Sequence, residues 1–568
     1  MNWVAMRVNR DICCLRMLGV VFVATLVFMA DVTAQSTERV RRDFELGKSI
    51  EVLANIMREF ESGHVENISA EELLKAAAAG MVSATDPYSE YLPEEAMADF
   101  DMLTTGRYAG VGSLIRKKGD YVLFAQPYKG APSDLAGVKI GDKIVAIGGE
   151  DMKGRDVGDI SSRLRGEPET TVEVVVERNY DGAIDTLSIT RRRISIPSVG
   201  YAGYVRDGIA YIQHGDFIDG SYNELRSALE RLMMEDTLRG VILDYRSNGG
   251  GVMQEAVDIA SLFVPRGERI VSLMGRDSSS LAHYATEHAP IAPDVPIVVL
   301  VSGTSASASE ILAGALQDKD RAVIMGQRTY GKGLVQGTRH VGYNGYLKYT
   351  TAKYYIPSGR CIQSRNYRSG GATTVVPDSL ISEFRTAGGR KVYDGGGIVP
   401  DVKLETEYVS NFAYVLYAMG YMEDWADSYV RKHHDAVIDV RTFSLTDEDY
   451  ADLCSFVEGC DVPYESESRR ALKALSKAAE NDRYEEELKA TLEALDGLIK
   501  DDKMSNMETY RDEIERAVAS EIVLRYAYRE GALEYSMMHD KAVDEAVALL
   551  LNGEEYNRIL REEDLDMH

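Results

Sequence analysis

Three short apolar runs, two of which pass into helical stretches, constrain this chain more than anything else in it. Gly240-Val241-Ile242-Leu243-Asp244 precedes a helical pattern from Glu255 to Val264, and Ile297-Val298-Val299-Leu300-Val301 precedes another from Ser309 to Gln317. Ala322-Val323-Ile324-Met325-Gly326 then reads as a further strand. Runs of this kind alternating with helices predict an α/β layer between Gly208 and about Val402, with helices covering a mostly buried sheet.

The 568 residues are too many for one core and suggest about three or four domains. From about Thr37 to Ala98 apolar residues recur at helical spacing, in Ile50 to Met57 and Leu73 to Met81, until Asp86-Pro87-Tyr88 breaks the pattern. Between about Gly106 and Ile194 glycines punctuate short strands such as Tyr121-Val122-Leu123-Phe124 and Thr171 to Val176, which predicts a small β-rich module. Residues 366 to 397, rich in Gly, Ser and Thr, read as a surface insertion, and the stretch from about Ser410 is helical and acidic. The expected division is 1–34, 35–100, 101–194, 195–408 (assembled with part of the N-terminal region) and 409–568. A net charge of −27 argues against nucleic acid as a partner, because backbone binding needs a basic face.

Arg7, Arg10 and Arg16, an apolar run from Met17 to Ala30, and Val32-Thr33-Ala34 have the order of a secretory signal cleaved after Ala34. Export to a bacterial periplasm or cell envelope is the expectation. Membrane association would come only through an uncleaved N-terminal segment. Cys361, Cys454 and Cys460 remain after cleavage, and an odd count is no disulfide framework: Cys454 could pair with Cys460, leaving Cys361 as a buried free thiol.

The chemistry concentrates in three places. Ser305-Ala306-Ser307-Ala308-Ser309-Glu310 follows a strand and opens a helix; Ser307 to Glu310 fits a capping box, yet small neighbours and a position at the carboxyl edge of the sheet also suit a nucleophile. Lys332, between Gly331 and Gly333, follows 25 positions after Ser307. A surface lysine there would be solvated; a partly desolvated one can take a serine proton with no histidine involved. Gln336, four positions on, shares its face and could orient the amine. Asn248-Gly249-Gly250-Gly251 leads into a helix, and its amides suit an oxyanion hole, in which each donor contributes about 2 to 4 kcal/mol. Gly250 and Ala308 are assigned to it, with Gly251 in reserve. No H-E-x-x-H or G-x-S-x-G is present, and among the histidines His214 alone could approach this site, though a packed or surface role suits it as well.

Leu243 to Gly251 continued through Ala256 to Ala260, the Ser305 to Glu310 knuckle, Gly331-Lys332-Gly333-Leu334-Val335-Gln336, Asp86 to Leu92 and Thr351 to Arg360 together resemble the C-terminal processing peptidases, or tail-specific proteases, over roughly residues 45 to 402. Gly249 departs from the proline common there, which bears on loop stiffness. The resemblance implies a crotonase-like and ClpP-like α/β core, an inserted PDZ domain, N-terminal helices and a helical C-terminal region. It implies a Ser-Lys-Gln endopeptidase with Ser307 as nucleophile, Lys332 as base and Gln336 as orienter, needing no cofactor and no metal. It also places a carboxylate-binding loop at Gly110-Val111-Gly112-Ser113, with the ligand adding as a strand beside Ser113-Leu114-Ile115. Partners would be protein substrates with free, nonpolar C-termini; the C-terminal region could also dimerise, dock on the core or bind an adaptor protein. The competing readings are a catalytically silent PDZ adaptor and an acyl-CoA enzyme of crotonase-like layout, and the serine, lysine and glutamine set speaks against both.

Overall fold

A computed structural model describes residues 39–367, 373–405, 408–499 and 502–561. The export signal and the apolar run expected in residues 1–34 lie outside the described residues. The described residues form two compact units, divided between Tyr91 and Leu92. The first is helical over 39–63 and again over Ala70–Ser83, which Ser69 and Glu72 open as a reciprocal capping box.

In the second unit, helix Met97–Thr105 ends on Gly106 in the left-handed region. Strands Arg107–Gly110 and Arg192–Ser195 then pair as an antiparallel stem. The β-rich module emerges from this stem as an antiparallel sheet in the order Ser113–Lys118, Tyr121–Pro127, Lys143–Ile147, Thr171–Glu177, Ile184–Thr190. Alternation sets its inner face: Val172, Val174 and Val176 are buried against Val122, Phe124, Ile144 and Ile160, while Thr171 and Glu173 face water. Strand Ser113–Lys118 lies at the edge of this sheet.

The α/β layer is a six-stranded sheet in the order Val199–Arg206, Ile209–His214, Gly240–Asp244, Ile297–Val301, Val323–Gly326, Val402–Lys403. The first pair is antiparallel and the others parallel. Uninterrupted apolar strands need a cover on each face. Ile212, Val241, Leu243, Val299 and Ile324 pack beneath helices Ser221–Glu235, Met253–Ala260 and Ala308–Asp318. Residues of the other parity, Ile209, Tyr211, Ile242, Val298, Leu300 and Val323, are covered by Val543, Ala546, Val547 and Leu550 of helix Lys541–Leu551 and by Tyr556 and Ile559 of helix Gly553–Ile559. The end of the acidic helical region therefore docks on the sheet as its second layer, across the division expected at 408. The other C-terminal helices have their own core around Phe412, Trp425, Tyr450 and Val518.

Two expectations need correcting. The stretch 366–397 is more than a surface insertion: Arg390 is buried and pairs with Asp320 and Asp401, each at 2.6 Å, because an unpaired guanidinium could not be desolvated there. Cys361, Cys454 and Cys460 are all free and only partly buried, so Cys361 is less enclosed than expected and Cys454 is not bonded to Cys460.

Candidate active site

The chain leaves strand Ile297–Val301 through a tight turn and enters helix Ala308–Asp318 at Ser307, whose φ of 56° and ψ of −113° lie where residues bearing a Cβ are strained. The three serines of the knuckle differ in what their hydroxyls do. Ser305 Oγ donates to the Tyr245 carbonyl at 2.7 Å, Ser309 Oγ donates to the Asn248 carbonyl at 2.9 Å, and both residues are fully buried. Ser307 is only partly buried and stands at the elbow.

Glu310 holds the knuckle to the lysine loop. Its Oε2 accepts the Ser307 N–H at 2.9 Å and the Lys332 N–H at 2.8 Å; its Oε1 accepts the Gly331 N–H at 2.7 Å and the Thr329 hydroxyl at 2.5 Å. Burial pushes this carboxyl above its ordinary range, and the four donors pull the other way, in favour of the charged form. The buried Tyr354 hydroxyl makes a second tie, lying 3.2 Å from the Ser307 carbonyl and bonding the Lys332 carbonyl. Lys332 is partly buried. Gln336 lies on strand Leu334–Gly342 at a bulge against strand Gly345–Tyr355; its Nε2 donates to Thr350 Oγ1 at 3.3 Å, which leaves Oε1 as the accepting end of the amide.

Gly250 faces Ser307 across the site. A Cβ on Gly250, whose φ is +103°, would lie 2.8 Å from Ser307 Cβ, 2.7 Å from the Ala306 carbonyl oxygen and 2.9 Å from Ala308 N. Only glycine fits there. The Gly250 N–H, expected to serve an oxyanion jointly with Ala308, is donated to Asn248 Oδ1 at 2.9 Å in an Asx turn. Ala308 opens its helix, where a first-turn N–H has no intrahelical acceptor. Asn248 is itself held by Nδ2, which donates to the His214 carbonyl at 2.9 Å. His214 is packed rather than at the surface, edge-on to Phe217 and Tyr245, and neither ring nitrogen has a hydrogen-bond partner among the described residues. Burial brings its pKa down to about 3, so the ring is neutral.

In the β-rich module, the Val111 carbonyl accepts the Ser133 N–H at 2.8 Å, and the Gly112 carbonyl accepts the Tyr128 N–H at 3.0 Å and the Ser133 hydroxyl at 2.8 Å. Trans peptides then aim the Gly112 and Ser113 N–H groups the opposite way. Burial lifts the pKa of the Tyr108 phenol to about 12, while the Gly112 and Ser113 amides nearby pull it the other way. The Arg165 guanidinium stacks 5.6 Å from the centre of that ring.

Sequence reasoning read Glu310 as a cap only, and missed Tyr354, Asn248 and Tyr108. Asparagine followed by glycines is the usual mark of an Asx turn and could have exposed Asn248. The local signal at Glu310 is the cap alone, and none marks Tyr354 or Tyr108.

Residues 208–378 match peptidase family S41, residues 123–178 match the PDZ domain, and residues 412–550 match "Probable PDZ-protease, C-terminal helical domain". The "Probable CtpA-like serine protease" of Staphylococcus aureus (strain bovine RF122 / ET3-1) is 31% identical over 379 residues, covering 66% of this chain and 72% of that protein. The "Carboxy-terminal-processing protease" of Bartonella bacilliformis is 32% identical over 369 residues, covering 64% of this chain and 81% of that protein. A solved photosystem II D1 C-terminal processing protease aligns with a TM-score of 0.34 and 28% identity, over 61% of this chain and 86% of that one. With relatives above 30% identity matched along most of their lengths, this chain belongs to the carboxy-terminal-processing serine proteases of peptidase family S41 and carries a PDZ domain and a helical C-terminal domain.

Proposed function

We propose that this protein is an exported endopeptidase that captures the nonpolar C-terminus of a protein on its PDZ domain and cleaves near that end through a Ser307-Lys332 acyl-enzyme. The observation that carries the reading is the Glu310 carboxylate, which binds the amides of Ser307 and Lys332 on one oxygen and so fixes the two residues relative to each other.

Lys332, as the neutral amine, takes the Ser307 hydroxyl proton as Oγ adds to the scissile carbonyl. Gln336 Oε1 accepts from the amine and directs its lone pair. The oxyanion is met by the Ala308 N–H, with the Gly250 N–H joining when Asn248 Oδ1 releases it; Gly251 is the alternative donor. The lysine proton passes to the leaving amine, and water then hydrolyses the Ser307 ester. The Gly112 and Ser113 amides take the tail carboxylate, and the free edge of strand Ser113–Lys118 receives the tail as an added strand. Residues 1–34 direct export.

Turnover of a peptide with a nonpolar tail is expected to vanish in Ser307→Ala and in Lys332→Ala while the melting temperature holds. Turnover retained in either variant would overturn the assignment.

A further inference from the structure

The C-terminal helical domain sends one charged group into the loop that supports the catalytic knuckle. Asp540 caps helix Lys541–Leu551, its Oδ1 accepting the Ala542 N–H at 2.9 Å and the Val543 N–H at 3.4 Å. Its other oxygen lies 2.5 Å from Nη2 of Arg246. The same guanidinium reaches Asp244 Oδ2 at 2.6 Å, and Asp244 also accepts the Tyr211 hydroxyl at 2.7 Å. Two carboxylates from distant parts of the chain thus grip one arginine, with side chains between 7% and 27% exposed. In so sheltered a place charge-assisted bonds are strong and directional.

Arg246 belongs to the loop that carries the knuckle. The Arg246 carbonyl accepts the Ser302 hydroxyl and, at 2.5 Å, the Thr304 hydroxyl; the Tyr245 carbonyl accepts Ser305 Oγ; and the Asn248 carbonyl accepts the Ala306 N–H at 3.2 Å as well as Ser309 Oγ. Every residue from Ser302 to Ser309 that makes a side-chain bond to this loop bonds to a carbonyl whose position follows from where the Arg246 backbone lies. Among the described residues, Asp540 is the one partner of Arg246's side chain that comes from beyond the α/β core.

We propose that Asp540 is a positioning residue of the peptidase site: by clamping Arg246 against Asp244, it sets the carbonyls of residues 245 to 248 and, through them, the attitude of Ser307 and of the Gly250 and Ala308 amides. The C-terminal domain is then part of the active site's framework, and its docking on the sheet is coupled to acylation. This inference rests on the Ser307 assignment.

The test uses the full chain with Asp540→Asn, which keeps an oxygen to cap the helix but removes the charge, and Asp540→Glu, which keeps the charge on a longer stem. Asp544→Asn, which removes the exposed pair with Arg206, is the control. Steady-state kinetics on a tailed peptide are read beside the rate at which a fluorophosphonate acylates the serine, normalised to folded protein. A positioning role predicts that Asp540→Asn lowers kcat and the acylation rate by about tenfold with KM nearly unchanged, that Asp540→Glu recovers part of the loss, and that Asp544→Asn matches wild type. A purely structural role would lower only the folded fraction and leave the normalised acylation rate at the wild-type value, and that result overturns the proposal. If wild type itself is not acylated at Ser307, the functional assignment fails instead.

Discussion

Glu310→Gln removes one acceptor from a site in which both oxygens are doubly occupied. The side-chain amide offers a single oxygen, so its NH2 group must face either the Ser307 and Lys332 amides or the Gly331 amide and the Thr329 hydroxyl. In the first orientation two buried N–H groups lose their acceptor. In the second the threonine hydroxyl, which already accepts the Ile398 N–H, can turn to accept from the amide too, but its own proton and the Gly331 N–H then lose their acceptor. Each buried donor left unmade costs about 1 to 3 kcal/mol. The substitution should therefore destabilise the core by about 2 to 6 kcal/mol, partly offset by no longer desolvating a charge, which is a sizeable share of a typical domain's margin. The kinetic effect should exceed the thermal one, since the lost bonds are those that register Ser307 against Lys332, and displacement of about 1 Å costs about a hundredfold. Steady-state hydrolysis of a tailed peptide, measured below the variant's melting temperature, gives the comparison. A kcat within about threefold of wild type would refute the claim that this carboxylate sets the geometry of the pair.

Gly250→Ala should abolish activity and lower stability, because its Cβ would collide with Ser307 Cβ and the Ala306 carbonyl at a φ of +103°; an active, stable variant, seen by kinetics and calorimetry, would show that the loop is free to move away. Tyr108→Phe removes the phenol oxygen that the Gly112 and Ser113 amides influence, so calorimetric titration should show a tail peptide bound about fivefold or more tightly; unchanged affinity would mean that the phenol does not compete with the carboxylate. Neutral His214, at about 3 when folded against an ordinary value of about 6.5, makes the unfolded chain the better proton acceptor between those values. Its contribution is thus complete above about pH 6.5 and is lost as the pH falls toward 3, by a few kcal/mol. His214→Phe should flatten the acid side of the stability profile measured by denaturant unfolding, and an unaltered slope would contradict this.

Much of the fold was readable because strand runs such as Ile297–Val301 have no polar position at which to meet water, which leaves a covered sheet as the outcome. What covers its second face was not readable. Val543, Ala546, Val547 and Leu550 announce an apolar stripe on a helix, but a stripe states only that a partner is needed. The same limit applies in the site. Ser307 to Glu310 declares a cap locally, whereas the carboxylate's bonds to Thr329, Gly331 and Lys332 span 19 to 22 residues and exist only once the strand Val323–Gly326 has carried the chain back. Arg390 was hidden in the opposite way: glycine-rich surroundings suggested a loop, and burial of its charge depends on Asp320 and Asp401 arriving from two other segments.

We assign Ser307, rather than Ser305 or Ser309, as the nucleophile that Lys332 activates. Fluorophosphonate labelling followed by peptide mass spectrometry tests this assignment directly. The label should map to Ser307, disappear in Ser307→Ala and form far more slowly in Lys332→Ala; label on Ser305 or Ser309, or labelling at an undiminished rate without Lys332, would contradict it.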